Sequence, residues 1–388
     1  MKKGNKHIVP TTEMQEAPLA PRESRWQEFW RLLRKNRLAL AGLIIFVFFF
    51  FIALAGLVLT SGTKPVFDPA IVRLQEKLRP PLSEPRVEDL SLEEIPTLGI
   101  YLLGTDDLGR DVFSRMLQGA WVAVTIGFVA VGIAVIIGIC MGGIAGYFGR
   151  NPVRIDHILL AIFMSVGAGL LAGGVLVTGG VLLLIGCGYI LLQRWWKKKY
   201  SAPPVFRLLQ TETLSIDTLI MRLVDIMLCF PVFFLILTVV ALLPASMYNI
   251  MIVIGLTSWM GTTRFVRAEL LSLREQDFVT AARALGVKDW RIIFRHMIPN
   301  AMAPVLVSAT IGIANAILIE AGLSFLGFGV PPPHATWGNI ISAGKDFIFD
   351  APWLTFIPGF AILVVVLAFN LFGEGLRDIL NPKLRERY

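Results

Sequence analysis

Three aspartates crowd one short polar stretch, Gly-Thr-Asp-Asp-Leu-Gly-Arg-Asp at 104–111, and carboxylates that close together could hold a calcium ion. Their spacing decides against it. Asp106, Asp107 and Asp111 do not meet D-x-D-x-D-G, and turn and helix-cap chemistry accounts for them more simply. Gly344-Lys345 resembles the end of a phosphate loop, but G-x-x-x-x-G-K-[ST] is not met and Asp346 follows the lysine. The chain itself is therefore expected to bind no ATP. His7, His157, His296 and His334 stand isolated, without metal-ligand spacing. Cys140, Cys187 and Cys229 lie inside apolar runs and are expected as buried thiols, again without metal or redox spacing. No nucleophile or acid–base cluster stands out. The expectation is no catalytic site, no cofactor and no resident metal.

The elements that would carry these residues are apolar. Of 388 residues, 55% are hydrophobic and 16% charged, with a mean hydropathy of +0.68. Repeated runs of about 20 apolar residues mark an all-α, polytopic helical membrane protein in contact with lipid. The net charge of +8 sits beside those runs, which topology explains better than nucleic acid does. Spans are predicted at 38–60, 117–146, 219–243, 250–266, 301–327 and 353–373. The second carries small residues at four-residue spacing, Ala130, Ala134, Gly138, Gly142 and Gly146, which predicts close approach of another helix. Charges are costly in lipid, so polar positions within spans are candidates for function. Arg222 and Asp225 are three apart and can pair along one helix face. Pro231 should kink that same span. Asn315, Glu320 and Asn370 are polar positions that face either the bundle interior or a pathway.

Residues 1–24 read as a cytoplasmic tail, and 25–37 as a basic amphipathic helix along the membrane interface, with Trp26, Phe29, Trp30 and Leu33 on one side. The basic flank before 38–60 puts the N-terminus inside, and Arg377, Lys383, Arg385 and Arg387 put the C-terminus there too. Residues 61–116 then form an external loop, and 331–350 a second one. There is no sign of a cleaved signal peptide. Within 155–199, the run 158–193 is apolar for longer than one crossing needs. Arg150 and Arg154 precede it and Arg194 and Lys197 to Lys199 follow it, so both flanks should be cytoplasmic and the number of crossings even. A two-span or re-entrant hairpin is expected, turning at Gly173-Gly174 or Thr178-Gly179-Gly180.

One charged segment lies between spans, QDFVTAARALGVKDWRIIFRHMIPN at 276–300. Its first half puts Phe278, Ala281, Ala282 and Leu285 on one helical face; Gly286 breaks the helix. The second half puts Trp290, Ile293, Phe294 and Met297 on one face and ends at Pro299. This predicts two short amphipathic helices joined at a glycine hinge. Its basic excess predicts the cytoplasmic side. The pattern A-A-x-x-x-G, with Ile293 and Pro299 downstream, resembles the coupling loop of ATP-binding-cassette importer permeases. Thr280 stands where that family usually carries Glu.

The resemblance extends to LGTDDLGRDVFSRMLQGA at 103–120, EAGLSFLGFGVPPPHATWGN at 320–339 and APWLTFIPGFAILVVVLAFNLFGEGLRDILNPKLR at 351–385. These are similar to the dipeptide/oligopeptide/nickel branch, and within it to the second of the two permease subunits. The resemblance implies a six-span core in a bacterial inner membrane. It also implies a homologous permease partner, two cytoplasmic ATPases that dock at 276–300, and an external solute-binding protein. Thr280, Ala281, Ala282, Gly286, Ile293 and Pro299 would then carry coupling. The implied solute is a di- or oligopeptide, with nickel chelates or other small solutes next. The alternative of another class is a self-contained secondary transporter, for which paired repeats and mid-span charges would be expected.

Overall fold

The long apolar runs become helices packed through small residues. The computed structural model describes residues 25–86, 90–91, 94–149, 152–153, 164, 168, 180–188 and 214–380. Helix α1 (Arg25–Lys35) leads into α2 (Arg37–Thr60), whose first turn is capped by Asn36 accepting from the Ala39 backbone amide. Helix α3 spans Val112–Phe148, starting five residues earlier than the apolar run alone predicts, because Asp111 caps it through the Phe113 and Ser114 amides. After it come α4 (Ile216–Cys229), α5 (Val232–Leu242), α6 (Met247–Thr257), α7 (Trp259–Arg274) and α8 (Asp277–Ala284). A short turn α9 (Asp289–Arg291) continues through a π-helical stretch, Ile292–Met297, into α10 (Ile298–Phe325). Helices α11 (Trp337–Gly344) and α12 (Trp353–Leu380) complete the described part.

Among the described residues, four stretches are long and apolar enough to cross a membrane as single helices: Arg37–Thr60, Val112–Phe148, Asp289–Phe325 and Trp353–Leu380. The predicted span at 219–243 is not one rod. α4 and α5 meet at Phe230-Pro231 with an 81° bend, since proline lacks the amide that would continue the ladder. The predicted span at 250–266 is likewise divided at Ser258 into α6 and α7, and α7 runs on to Arg274.

The small-residue ladder faces protein. A Cβ on Gly255 of α6 would come within 2.9 Å of the Ala130 carbonyl oxygen; Ala130 and Ala134 are buried. A Cβ on Gly138 would lie 2.6 Å from Thr262, one on Gly142 2.6 Å from the Thr263 carbonyl oxygen, and one on Gly146 2.7 Å from Leu270. All three targets are on α7, so α3 and α7 lie backbone to backbone. The main apolar core gathers Phe49, Ile126, Ile254, Ile317 and Phe369 from five helices. A second core, with Leu270, Val279, Ile292 and Met297, closes the far end of α3.

At the Asp111 end, a buried polar network fixes the segment before α3. Asp106 accepts from the amides of Leu108 and Arg110, both at 2.9 Å, and pairs with Arg110 at 2.8 Å and with Arg115. Arg115 donates to Asn339 Oδ1 at 3.0 Å, and Asn339 forms a capping box with Thr336 at the start of α11. Trp353 Nε1 donates to the Thr105 carbonyl at 3.2 Å. Thus the two predicted external loops form one structure, and 331–350 contains a helix that periodicity did not announce. Gly344, at the end of α11, packs against Leu354 of α12.

Two expectations change. The three cysteines are exposed, not buried. An apolar run reports burial in soluble proteins, but a membrane helix is apolar on its outer face as well. The amphipathic face of α1 does not simply lie along an interface: Leu33 is fully buried against Ala39 of α2 and Ile379 of α12. The predicted turn at 173–180 and both flanking arms lie largely outside the described residues. Residues 164 and 168 and a helical stretch at 180–188 are described there. At the base of that insertion, β1 (Pro152–Val153) pairs antiparallel with β2 (Leu214–Ser215), joining Pro152 to Ser215 and Val153 to Leu214.

Candidate functional site

Both helix breaks open onto the same cavity, of about 580 Å³. Leu228 and Val232 flank the Pro231 bend, and Thr257, Ser258 and Met260 surround the Ser258 break; all line it. Val131 and Ala134 of α3 form one side, and α10 contributes Ser308, Gly312 and Asn315. Non-helical backbone at membrane depth is tolerated where it borders a cavity or is buried in protein. The lining is apolar with neutral polar points. Thr262 and Ser308 hydroxyls lie 3.2 Å apart, and Asn315 is exposed. No charged side chain is among the described residues that line the cavity.

The remaining polar candidates separate by position. Glu320 is fully buried on the opposite side of α10 from Asn315's cavity. There it accepts from the Ser324 hydroxyl at 2.6 Å, beside α11. Asn370 is half-buried on α12 and does not line the cavity. The expected Arg222–Asp225 pair is corrected: Asp225 bonds Arg264 of α7 at 2.8 Å, while Arg222 is exposed. A second tie, Asp217 with Arg267, joins the same two helices. Spacing along one helix cannot anticipate a partner supplied by a neighbouring helix.

The segment 276–300 forms a knuckle, with two differences from its predicted shape. Helix α8 is short, and Gly286 adopts φ +72°, the left-handed conformation that favours glycine. The second half is not a separate helix ending at Pro299; it runs through the π-helical stretch into α10, and Pro299 sits in the first turn of α10. The faces are also re-sorted. Val279 is fully buried with Ala282 partly buried beside it, whereas Phe278, Ala281 and Leu285 point outward. In the second half Ile293 and Met297 are buried, and Trp290 and Phe294 are exposed. Thr280 is exposed and its hydroxyl returns to the Asp277 carbonyl at 2.9 Å. The result is a cluster of bare large apolar side chains, with Leu285 83% and Trp290 57% exposed, on a basic protrusion.

Comparison with known proteins decides the family. Residues 214–386 match the binding-protein-dependent transport system inner membrane component, and residues 24–81 match the N-terminal membrane domain of oligopeptide transport permease C. The dipeptide transport system permease protein DppC of Alkalihalophilus pseudofirmus is 35% identical over 376 residues, covering 97% of this chain and 94% of the relative. DppC of Haemophilus influenzae is 34% identical over 375 residues, covering 96% of this chain and 100% of the relative. The oligopeptide permease OppC of Bacillus subtilis is 29% identical over 363 residues, with 94% and 91% covered. The chain belongs to this permease family. It is a multi-pass inner-membrane transport subunit, as the motifs at 103–120, 320–339 and 351–385 imply.

The apolar run at 158–193, expected as an insertion, falls between the two matched regions. Sequence reasoning missed the ties that fix the Asp111 end. Arg115, Gln118, Asn339, Trp337 and Trp353 each bond a distant backbone or side chain, such as Gln118 Oε1 accepting from the Ala335 amide at 2.6 Å. The Thr336 to Asn339 spacing was the one local signal, a capping box with Asn at its far position.

Proposed function

We propose that this permease is a non-catalytic half of the membrane pathway of an ATP-driven peptide importer. A homologous permease completes the pathway, two cytoplasmic ATPases dock on the knuckle at 276–300, and an external binding protein delivers the solute at the Asp111 end. The observation that carries this reading is the cavity at the two helix breaks. It is neutral and carries hydroxyl groups and one side-chain amide, which suit a peptide backbone whatever the charge of its side chains. The relatives named for dipeptide and oligopeptide transport support the same substrate class.

The mechanism follows from the connections. ATP-driven closure of the ATPases would move the knuckle, whose bare Phe278, Leu285, Trp290 and Phe294 need an apolar partner. The knuckle continues directly into α10, a wall of the cavity, and α7 leads into it from another wall. Movement would thus reach the cavity through two rigid helices, exposing it to one side at a time.

The test is reconstitution of the four-chain membrane complex in liposomes with its binding protein. Uptake of labelled di- and oligopeptides should require ATP inside the compartment where the knuckle lies. Gly286→Val should lower it about tenfold, because a β-branched residue resists the left-handed conformation by roughly 1–2 kcal/mol and the knuckle would be reshaped. Uptake driven by an ion gradient without ATP would sink the importer reading. ATP-dependent uptake of a nickel chelate but no peptide would replace the substrate.

A further inference from the structure

One side chain of α3 hydrogen-bonds both sides of the knuckle. Tyr147, next to last in α3, is buried at 6% exposure in the core beneath the knuckle. Its hydroxyl donates to Asp289 Oδ1 at 2.5 Å and accepts from Arg283 Nε at 3.3 Å. The Arg283 guanidinium also lies 4.8 Å from the centre of its ring. Arg283 is in the last turn of α8 and Asp289 opens α9, so the tyrosine bridges the two sides of the Gly286 turn. Its backbone carbonyl accepts from Arg274, at the end of α7, at 3.4 Å. One residue therefore contacts α7, α8 and α9 from the end of α3, and α3 carries Val131 and Ala134 to the cavity. The sequence pattern of the coupling loop does not contain this residue, which lies more than a hundred positions earlier.

We infer that Tyr147 is a positioning residue for coupling: its hydroxyl pins the knuckle to α3, so that displacement of the knuckle moves α3 and the cavity wall it forms as well as α7 and α10. The inference rests on the importer reading for its functional consequence, and on geometry alone for the pin. The large apolar contacts of α8 and the π-helical stretch hold the knuckle folded without the hydroxyl. The hydroxyl adds a directional link, because a bond at 2.5 Å to a carboxylate resists sliding as an apolar contact does not.

Two measurements test it. Tyr147→Phe keeps the ring, its edge-to-face contact with Phe148 at 4.9 Å and its stacking with Arg283, and removes only the oxygen. In the reconstituted complex, the ATPases should co-purify at the wild-type yield, and the ATP hydrolysed per peptide imported should rise about fivefold, the factor a hydrogen bond of ordinary net strength supplies. Asp289→Ala should do the same, and the double variant should be no worse than either single one. An unchanged ratio in both single variants, additive effects, or loss of ATPase binding in Tyr147→Phe would each overturn the inference. The second measurement needs no substrate: amide hydrogen exchange of the full chain in detergent. Exchange over 277–291 should quicken about fivefold in Tyr147→Phe while that over 301–325 stays as in the wild type. Unchanged exchange at 277–291 refutes the pin whatever the complex transports, whereas a wild-type complex whose uptake is driven by an ion gradient without ATP refutes the importer reading and leaves the exchange result to stand by itself.

Discussion

Adjacent residues of one type can carry very different burdens, and Asp106 and Asp107 show why. Asp106 is fully buried and holds two guanidinium groups, Arg110 and the buried Arg115, together with two backbone amides. Asp107 is about a third exposed and only brushes Arg110 at 3.9 Å. Removing one partner of a buried pair leaves the other charge uncompensated, which costs about 3–5 kcal/mol, whereas an exposed pair contributes roughly 0–1 kcal/mol. Asp106→Asn should therefore lower the thermal unfolding temperature of the purified permease by many degrees, and Asp107→Asn should leave it nearly unchanged. Equal shifts in a thermal melt would refute the assignment. The sequence indicated turn and cap chemistry here, and Asp111 does cap α3. It did not indicate which carboxylate is buried, because Arg115 and Asn339 lie on elements whose meeting depends on tertiary packing. The same limit explains Asp225, which spacing joins to Arg222 and the fold joins to Arg264.

Among elements, the legible features were those written in a period. Five small residues at four-residue spacing on α3 predicted a close helix approach, and α6 and α7 supply it. The breaks at Pro231 and Ser258 were less legible. Proline announced a kink but not an 81° bend, and Ser258 is an ordinary residue whose break from the helix is tolerated beside the cavity it lines. The ladder allows a comparison within one helix. Gly142→Leu would place side-chain atoms where the Thr263 carbonyl and Val266 already stand, at 2.6 and 2.8 Å from the first carbon alone. At Gly132 a Cβ meets nothing within 4 Å. Overpacking costs about 1–3 kcal/mol and forced separation of two backbones more, while replacing an open helical glycine gains up to about 1 kcal/mol. Gly142→Leu should lower the melting temperature of the detergent-purified chain, and Gly132→Leu should not. A drop at Gly132 equal to that at Gly142 would mean that the ladder owes nothing to the α3–α7 approach.

At the scale of the whole molecule, the arrangement of the chain across the membrane rests on charge and on parity. The basic flanks of the insertion, Arg150 and Arg154 before it and Lys197, Lys198 and Lys199 after it, predict that both ends lie in the cytoplasm. The pairing of Val153 with Leu214 adds a geometric reason, since a segment whose ends are hydrogen-bonded to each other must leave and return at one place. An apolar run of the length of 158–193 then has to cross twice or turn back within the bilayer, giving roughly eight spans in the first case. Single cysteines at 174 and 201 distinguish these. The native Cys140, Cys187 and Cys229 must be replaced first, because all three are exposed on the chain and would compete for reagent. An impermeant thiol reagent applied outside intact cells should label Gly174→Cys and should leave Ser201→Cys unmodified until the membrane is opened. Labelling of neither from outside indicates a shallow hairpin and removes two spans from the count. Labelling of Ser201→Cys from outside contradicts the charge rule and the parity together. It would then require the β1–β2 pair, and with it the Tyr147 end of α3, to lie on the external side, where the knuckle could meet no cytoplasmic ATPase.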